Sequence, residues 1–129
     1  MNLRRIAATV AVAAALLSVT ACSSGSSSTK APQWGQLGAD EKATFEYVVP
    51  NGTSVLLAAG QTLDIMPQEL DVKVGDSLRI KNQDGRDYMI GPFYVSANQT
   101  LAMRFTNPGT LSGVCSMSSS GQIIIKVSK

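Results

Sequence analysis

The sequence predicts an all-β domain, a two-sheet sandwich of about seven or eight strands over residues 43–129. Short runs of strand-favouring residues recur between turn signals in this part of the chain, and no run of about ten residues shows a helical period. Closely spaced short strands of this kind enclose a core between the inner faces of two sheets. A domain of this size buries enough apolar surface to fold unaided, so we expect one domain and no second unit.

Each element follows from the pattern of its own segment. Ala43–Val49 is rich in strand-favouring residues and ends at a Pro-Asn-Gly turn, after which one helical turn is predicted between Ser54 and Ala59. Leu70–Val74 alternates strictly between apolar and polar residues and turns into Ser77–Lys81, which predicts a half-buried hairpin. The other predicted strands are Gln61–Met66, Tyr88–Val95, Thr100–Thr106, Leu111–Cys115 and Gln122–Val127.

The N-terminus has the three parts of an export signal. Arg4 and Arg5 give it a positive start, Ile6–Leu17 is an apolar run dominated by Ala, Val and Leu, and small residues stand just before Cys22. The apolar run is shorter than the roughly 20 residues that a spanning helix needs. The pattern resembles a bacterial lipoprotein signal peptide, which implies cleavage after residue 21 and attachment of a lipid to Cys22.

This resemblance divides the chain into three parts. Residues 1–21 are the signal peptide, residues 22–42 are the lipidated cysteine with a flexible linker, and residues 43–129 are the folded domain. The linker begins with the Ser/Gly-rich run Ser23–Lys30, which has no apolar group to bury. We therefore expect a protein that its lipid holds on the extracytoplasmic face of a bacterial membrane.

Charge and cysteine content argue against several functions. Of the 11 basic residues, Arg4 and Arg5 belong to the leader, so the others balance the 9 acidic residues, and no basic run predicts nucleic-acid binding. If Cys22 carries a lipid, Cys115 is the remaining thiol and no internal disulfide can form. The chain has 0 histidines, which rules out Ser-His-Asp and Cys-His pairs, so we expect no enzymatic activity.

Two segments of the folded region carry a resemblance to a known family. The first runs from Asn82 to Phe93, and the second from Cys115 to Gly121. With Gly52-Thr53, Pro67 ahead of Leu70–Leu78, and Pro108-Gly109, all in this order, they resemble the cupredoxins, the plastocyanin-like blue copper proteins. The resemblance implies a Greek-key β-sandwich with a type 1 copper site formed by two histidines, a cysteine and an axial methionine.

Most of the ligands that this family uses are missing. The resemblance places the first copper histidine at Tyr88, the second at Ser118 and the axial methionine at Gly121, so that only Cys115 is kept. A blue copper site needs two imidazoles in one plane with the thiolate. A tyrosine phenolate is costly at neutral pH because its reference pKa lies near 10. The sequence therefore predicts a degenerate site without Cu(II), and copper electron transfer is the least favoured function.

Two hypotheses for the site stay open. In the favoured one, Cys115 is a small buried apolar residue, Tyr88 and Ser118 form hydrogen bonds where the metal would sit, and the domain is a binding or accessory module of the cell envelope with an unidentified protein partner. In the alternative, Cys115 and Met117 bind or deliver Cu(I), because thiolate and thioether ligands select that ion.

Residues near these positions are interpreted as structural. Met66 and Met103 are predicted to fill the core, and Met89 is predicted to point away from the site because it directly follows Tyr88 in a strand. Asp84, Arg86 and Asp87 form a charged cluster beside these positions and are predicted to belong to a solvated hairpin tip.

Overall fold

The structure is a computed structural model that describes residues 34–129, and it confirms the predicted all-β sandwich. Nine strands and one short helix lie in this part of the chain. They are β1 (Trp34–Gln36), β2 (Phe45–Val49), α1 (Thr53–Ala58), β3 (Glu69–Lys73), β4 (Ser77–Asn82), β5 (Tyr88–Ile90), β6 (Phe93–Val95), β7 (Thr100–Phe105), β8 (Gly109–Val114) and β9 (Gln122–Ser128).

The strands form two main sheets. The first has the order β1-β7-β4-β2, in which β1, β7 and β4 are antiparallel and β2 runs parallel to β4. The second has the order β3-β9-β8, with β3 parallel to β9. The β5-β6 pair extends this second sheet, because Ile90 forms an antiparallel bridge with Cys115 just after β8.

The core lies between the inner faces of these sheets. Alternating residues of β3 and β9 point into it, as the period of two in their sequences predicts. The same rule orients β7, where Met103 and Phe105 are buried. The buried cluster consists of Val49, Met66, Leu70, Val72, Leu78, Ile80, Tyr88, Ile90, Phe93, Val95, Met103, Phe105, Cys115, Met117, Ile123, Ile125 and Val127.

The predicted hairpin between Leu70 and Lys81 is wrong. β3 pairs with β9 in one sheet, and β4 pairs with β2 and β7 in the other, so the turn at Gly75 carries the chain between sheets. The N–H of Gly75 donates to the carbonyl of Phe105, which anchors the crossing to β7. Alternation indicates which face of a strand is buried, but it does not identify the neighbouring strand.

Within the described residues, the first sheet includes a strand at Trp34, ahead of the predicted domain start at Ala43. β1 pairs with β7, and the segment that follows is tied down by the buried side chain of Arg79. One nitrogen of this guanidinium, which carries two hydrogens, lies within hydrogen-bond distance of three carbonyl oxygens, those of Gly38, Ala39 and Glu41. A single tryptophan among polar residues gave no strand pattern, so the sequence did not show this start.

Two further segments differ from their predictions. Gln61–Met66 is not a strand. The N–H of Leu63 donates to the carbonyl of Met117, and the Asp64 carboxylate accepts from Ser119, so that side-chain and loop contacts tie the segment to the loop after β8. Tyr88–Val95 is two strands rather than one, since Gly91 adopts a positive φ of 61° and turns the chain ahead of β6. The predicted helical turn is present as α1.

Candidate functional site

The two segments that carry the family resemblance meet at one end of the sandwich. Besides the bridge between Ile90 and Cys115, the N–H of Ser116 donates to the carbonyl of Met89 at 3.2 Å. Tyr88 and Cys115 therefore belong to neighbouring chain segments, as the resemblance implies. Both side chains are buried in the same core cluster.

Asn82 organises the loop between β4 and β5. Its amide nitrogen donates to the carbonyls of Arg86 at 2.7 Å and Ser96 at 3.0 Å. Its side-chain oxygen accepts from the N–H of Asp84 at 3.0 Å. Asn82 is 3% exposed, so these bonds satisfy a polar group that would otherwise be costly to bury. The result is a fixed position for Asp84.

Asp84 is a buried carboxylate surrounded by donors. It accepts hydrogen bonds from the hydroxyl of Tyr88 at 2.5 Å, from the N–H groups of Gly52 at 3.0 Å and Ser54 at 2.9 Å, and from the Ser54 hydroxyl at 3.4 Å. Gly52 and Ser54 lie at the start of α1, so Asp84 joins this helix to the loop before β5. The prediction that Asp84 lies on a solvated tip is wrong, because the residue is only 2% exposed.

The bond between Tyr88 and Asp84 sets the protonation state of both groups. The Tyr88 hydroxyl is the largest of the causes that hold the pKa of Asp84 well below its ordinary value of 3.8. Burial, and then the Asp84 carboxylate, raise the pKa of Tyr88 to about 12. At neutral pH the pair is a neutral phenol donating to an ionised carboxylate, which is a strong type of hydrogen bond.

Cys115 and Met117 are both buried in the same core cluster as Tyr88. Cys115 is 2% exposed and Met117 is 0% exposed. The N–H of Cys115 donates to the carbonyl of Gly121 at 3.0 Å, which closes the loop between β8 and β9 at its base. The thiol and the thioether thus point into the core rather than toward solvent.

The serine-rich loop is held by hydrogen bonds between its own residues and to Asp64. The hydroxyls of Ser118 and Ser120 lie 2.7 Å apart. Ser119 donates from both its N–H and its hydroxyl to Asp64, and the hydroxyl donation is the main cause of the lowered pKa of Asp64. Gly121 has a positive φ of 69°, the left-handed conformation that favours glycine. Ser118 thus hydrogen-bonds within its own loop, and its place at the second histidine position stays a prediction.

The residues at the predicted copper position do not fit Cu(II). The Tyr88 oxygen carries a proton that it donates to Asp84, so it offers no phenolate. The chain has no imidazole, and a trigonal blue copper site needs two. Within residues 34–129 no group of three or more His, Cys, Asp and Glu side chains could hold a metal ion, and no buried side-chain nitrogen or oxygen lacks a partner.

The sequence missed the residue at the centre of this site. It singled out Tyr88 and Cys115, whose segments the structure places side by side, but it did not give Asp84 or Ser54 a role. The spacing of Asn82, Asp84 and Tyr88 contained a signal, because an Asn-x-Asp turn readily bends the chain back on itself. Which donors would meet the carboxylate depended on α1, which is distant in sequence.

The chain forms a two-sheet β-sandwich, and its similar solved structures are cupredoxins, the family that the sequence resembles. The Cu(I) form of a mutant amicyanin has a TM-score of 0.45 at 15% identity, covering 74% of this chain and 99% of that one. Amicyanin from Paracoccus versutus has a TM-score of 0.46 at 11% identity, covering 74% and 97%. A purple cupredoxin from Nitrosopumilus maritimus has a TM-score of 0.41 at 18% identity, covering 67% and 100%.

No protein-family model matches the chain, and no curated protein sequence does either. At TM-scores and identities as low as those above, the fold assignment rests on the strand order and pairing of the chain itself.

Proposed function

We propose that this protein is a lipid-anchored lipoprotein of the extracytoplasmic membrane face whose cupredoxin-like domain has a hydrogen-bonded centre where the family has copper. It acts as a non-enzymatic binding or accessory module of the cell envelope, with a protein partner. The observation that carries the proposal is the hydrogen bond from Tyr88 to the buried Asp84 carboxylate. It gives the position of the first copper histidine a structural role.

The chemistry of this centre argues against a metal role. A ligand at residue 88 would have to lose the bond to Asp84 and leave a buried carboxylate short of a donor. The Asp84 bonds also hold the start of α1, so the cost would extend to the neighbouring helix. The centre therefore favours a domain that is rigid without a cofactor, as suits a module that presents a fixed surface.

The anchor is proposed from the leader. Arg4, Arg5, the apolar run and Cys22 have the order of a lipoprotein signal, and Cys22 lies outside the described residues. Within residues 34–129, no helix is long and apolar enough to cross a bilayer. Stable anchoring by lipid takes more than one acyl chain, which a diacylated cysteine supplies.

The two cysteines provide a matched test of the anchor and the site. Cys22→Ala and Cys115→Ala each remove one thiol, but only the first should leave the protein as an unprocessed precursor without a lipid. The parent protein and both variants are expressed in bacteria, labelled with a radioactive fatty acid and analysed by membrane fractionation. The purified parent is also analysed for bound metal. We expect the label on the parent and on Cys115→Ala, no label on Cys22→Ala, and no stoichiometric copper. A labelled Cys22→Ala variant contradicts the anchor, and one copper per chain contradicts the metal-free site.

One observation favours Cu(I) binding as a second candidate function. Cys115 and Met117 are two residues apart and both are buried in the same core cluster, so a thiolate and a thioether point to the same side of the chain. Such ligands suit Cu(I). Under reducing conditions, one equivalent of Cu(I) should then produce thiolate-to-metal absorption that Cys115→Ser abolishes. No absorption in the parent eliminates this candidate.

A further inference from the structure

One side of the sandwich is open. There a cavity of about 510 Å³ lies between β1 and β7 of the first sheet and β6 of the second. This volume is in the range of protein ligand sites, roughly 300–1,000 Å³. The cavity is lined by Trp34, Gly35, Gln36, Pro92, Phe93, Tyr94, Leu101, Ala102 and Met103. We call it the side cleft.

An unpaired strand edge faces the side cleft. β7 is six residues long, but β1 covers only its last half, where Gln36 pairs with Met103 and Trp34 with Phe105. Thr100–Ala102 pairs with β4 on one side, and no strand within residues 34–129 pairs with it on the other. Alternate residues of such an edge direct their N–H and C=O groups outward, ready to pair with another strand.

The opposite wall of the side cleft is also an edge. β6 pairs with β5 on one side and has no strand partner on the other among the described residues. The side cleft is therefore bordered by two strand edges that have no strand partner among the described residues.

The side chains of the cleft define the chemistry of that strand. None of the nine lining residues is charged. Trp34 is 46% exposed and meets the ring of Phe93 edge-on, with centroids 6.4 Å apart. Apolar side chains at every second position of an added strand would cover this wall, while the alternate positions would face water. Charged side chains facing inward would be desolvated without a partner.

We propose that the side cleft binds an extended segment of a partner protein as an added β-strand that pairs with the Thr100–Ala102 edge of β7. The segment alternates apolar with polar residues and has no charge on the apolar face. This inference goes beyond the proposed function and does not rest on it, because it uses neither the lipid nor the centre at Asp84. We assign the segment to a partner protein because β1 of this chain pairs Trp34 with Phe105, at the end of β7 away from the free edge.

The protein has a built-in reporter for this binding. Trp34 is its only tryptophan and lies in the wall of the side cleft. The probe is the acetylated and amidated peptide Lys-Val-Thr-Val-Thr-Val-Lys, which contains no aromatic residue and carries its valines on one face and its lysines on the other. It is titrated into the purified full-length chain. We expect the Trp34 emission to move to shorter wavelength and to saturate, because the added strand removes water from the ring.

Two comparisons make the test specific. In the first comparison, two peptides are N-methylated, each at one of the two sets of alternate residues. Each keeps the side chains but loses the N–H groups along one edge, and at least one of the two should bind about tenfold more weakly than the unmodified peptide. Gln36→Lys puts a charge in the cleft and should weaken binding of the unmodified peptide by about tenfold, whereas Val114→Lys, on an exposed residue outside the lining, should not.

Four results would overturn the proposal. The first is a Trp34 emission that does not shift, and the second is equal binding of both N-methylated peptides and the parent peptide. The third is equal binding of the parent peptide to Gln36→Lys and to the parent protein. The fourth is a loss of binding in Val114→Lys as large as that in Gln36→Lys. The second would show adsorption of apolar groups without strand pairing, and the fourth would place the peptide on another surface.

Discussion

Replacing Tyr88 with phenylalanine tests the centre at Asp84 with the smallest possible change. Tyr88→Phe keeps the ring in the core and removes only the hydroxyl that donates to Asp84. The carboxylate keeps its bonds from Gly52 and Ser54, so it loses one donor and is not left bare. A hydrogen bond to a charged group contributes about 1.5–3 kcal/mol to stability.

The middle of that range, about 2 kcal/mol, corresponds to a fall in melting temperature of roughly 8–16 °C for a domain of this length. The assay is thermal unfolding followed by circular dichroism at neutral pH. Tyr94→Phe is the matched control, because Tyr94 also donates to a carboxylate, that of Asp87, but is 57% exposed. The control should change the melting temperature by less than about 2 °C.

The pH dependence gives this prediction a second readout. The pKa of Asp84 is lowered in the folded state, so its contribution to stability is present above the pKa of the unfolded state and is lost as pH falls through the folded pKa. The gap between the parent and Tyr88→Phe should therefore be constant at neutral pH and narrow only where pH falls through the folded-state pKa of Asp84, which lies below the ordinary value of 3.8. If Tyr88→Phe costs no more than Tyr94→Phe at neutral pH, the centre does not stabilise the fold and our reasoning is refuted.

Three further variants test other parts of the molecule. Gly113→Ala would place its Cβ 2.3 Å from the carbonyl oxygen of Gly91, so it should destabilise the domain by about 1–3 kcal/mol in urea unfolding. The control Gly85→Ala should not destabilise the domain, because a Cβ there has no neighbour within 4 Å. Equal effects of the two variants would contradict the close packing of β8 on the turn before β6. Arg79→Lys keeps the charge but loses the planar guanidinium, so the backbone amides of residues 37–42 should exchange their hydrogens faster while those of β9 do not change. Equal changes in the hydrogen-exchange rates of both segments would contradict the role of this arginine. Asp84→Asn should lower the melting temperature more than Tyr88→Phe does, because several N–H and O–H groups lose their charged acceptor; a smaller effect would show that the carboxylate charge contributes little.

Much of the sandwich could be predicted because its strands follow a simple physical rule. In β3 and β9, alternation places every second residue in the core, and the sequence shows that alternation directly. The partners of a strand are a different matter. β3 pairs with β9, more than 50 residues away, while the adjacent β4 joins the other sheet, and nothing local in the alternating sequence distinguishes this from a hairpin.

The candidate site, too, could be predicted from the sequence only in part. The positions of Tyr88 and Cys115 could be predicted from the order of motifs, and the bridge from Ile90 to Cys115 places their segments together. The burial of Asp84 could not, because a carboxylate in a polar loop is usually solvated and its burial here depends on donors from α1. The strand at Trp34 was missed for a similar reason, since its stability comes from pairing with β7 and contact with Phe93.

The central claim is that a hydrogen-bonded tyrosine and aspartate, and not copper, occupy the site end of this sandwich. The most direct measurement is a Cu(II) titration of the full-length protein followed by visible absorption, beside the variant Tyr88→His/Ser118→His. The account predicts no intense thiolate-to-Cu(II) band in the parent, and a gain in copper affinity in the variant, which combines two imidazoles with Cys115. An intense blue band at one equivalent of Cu(II) in the parent would contradict it.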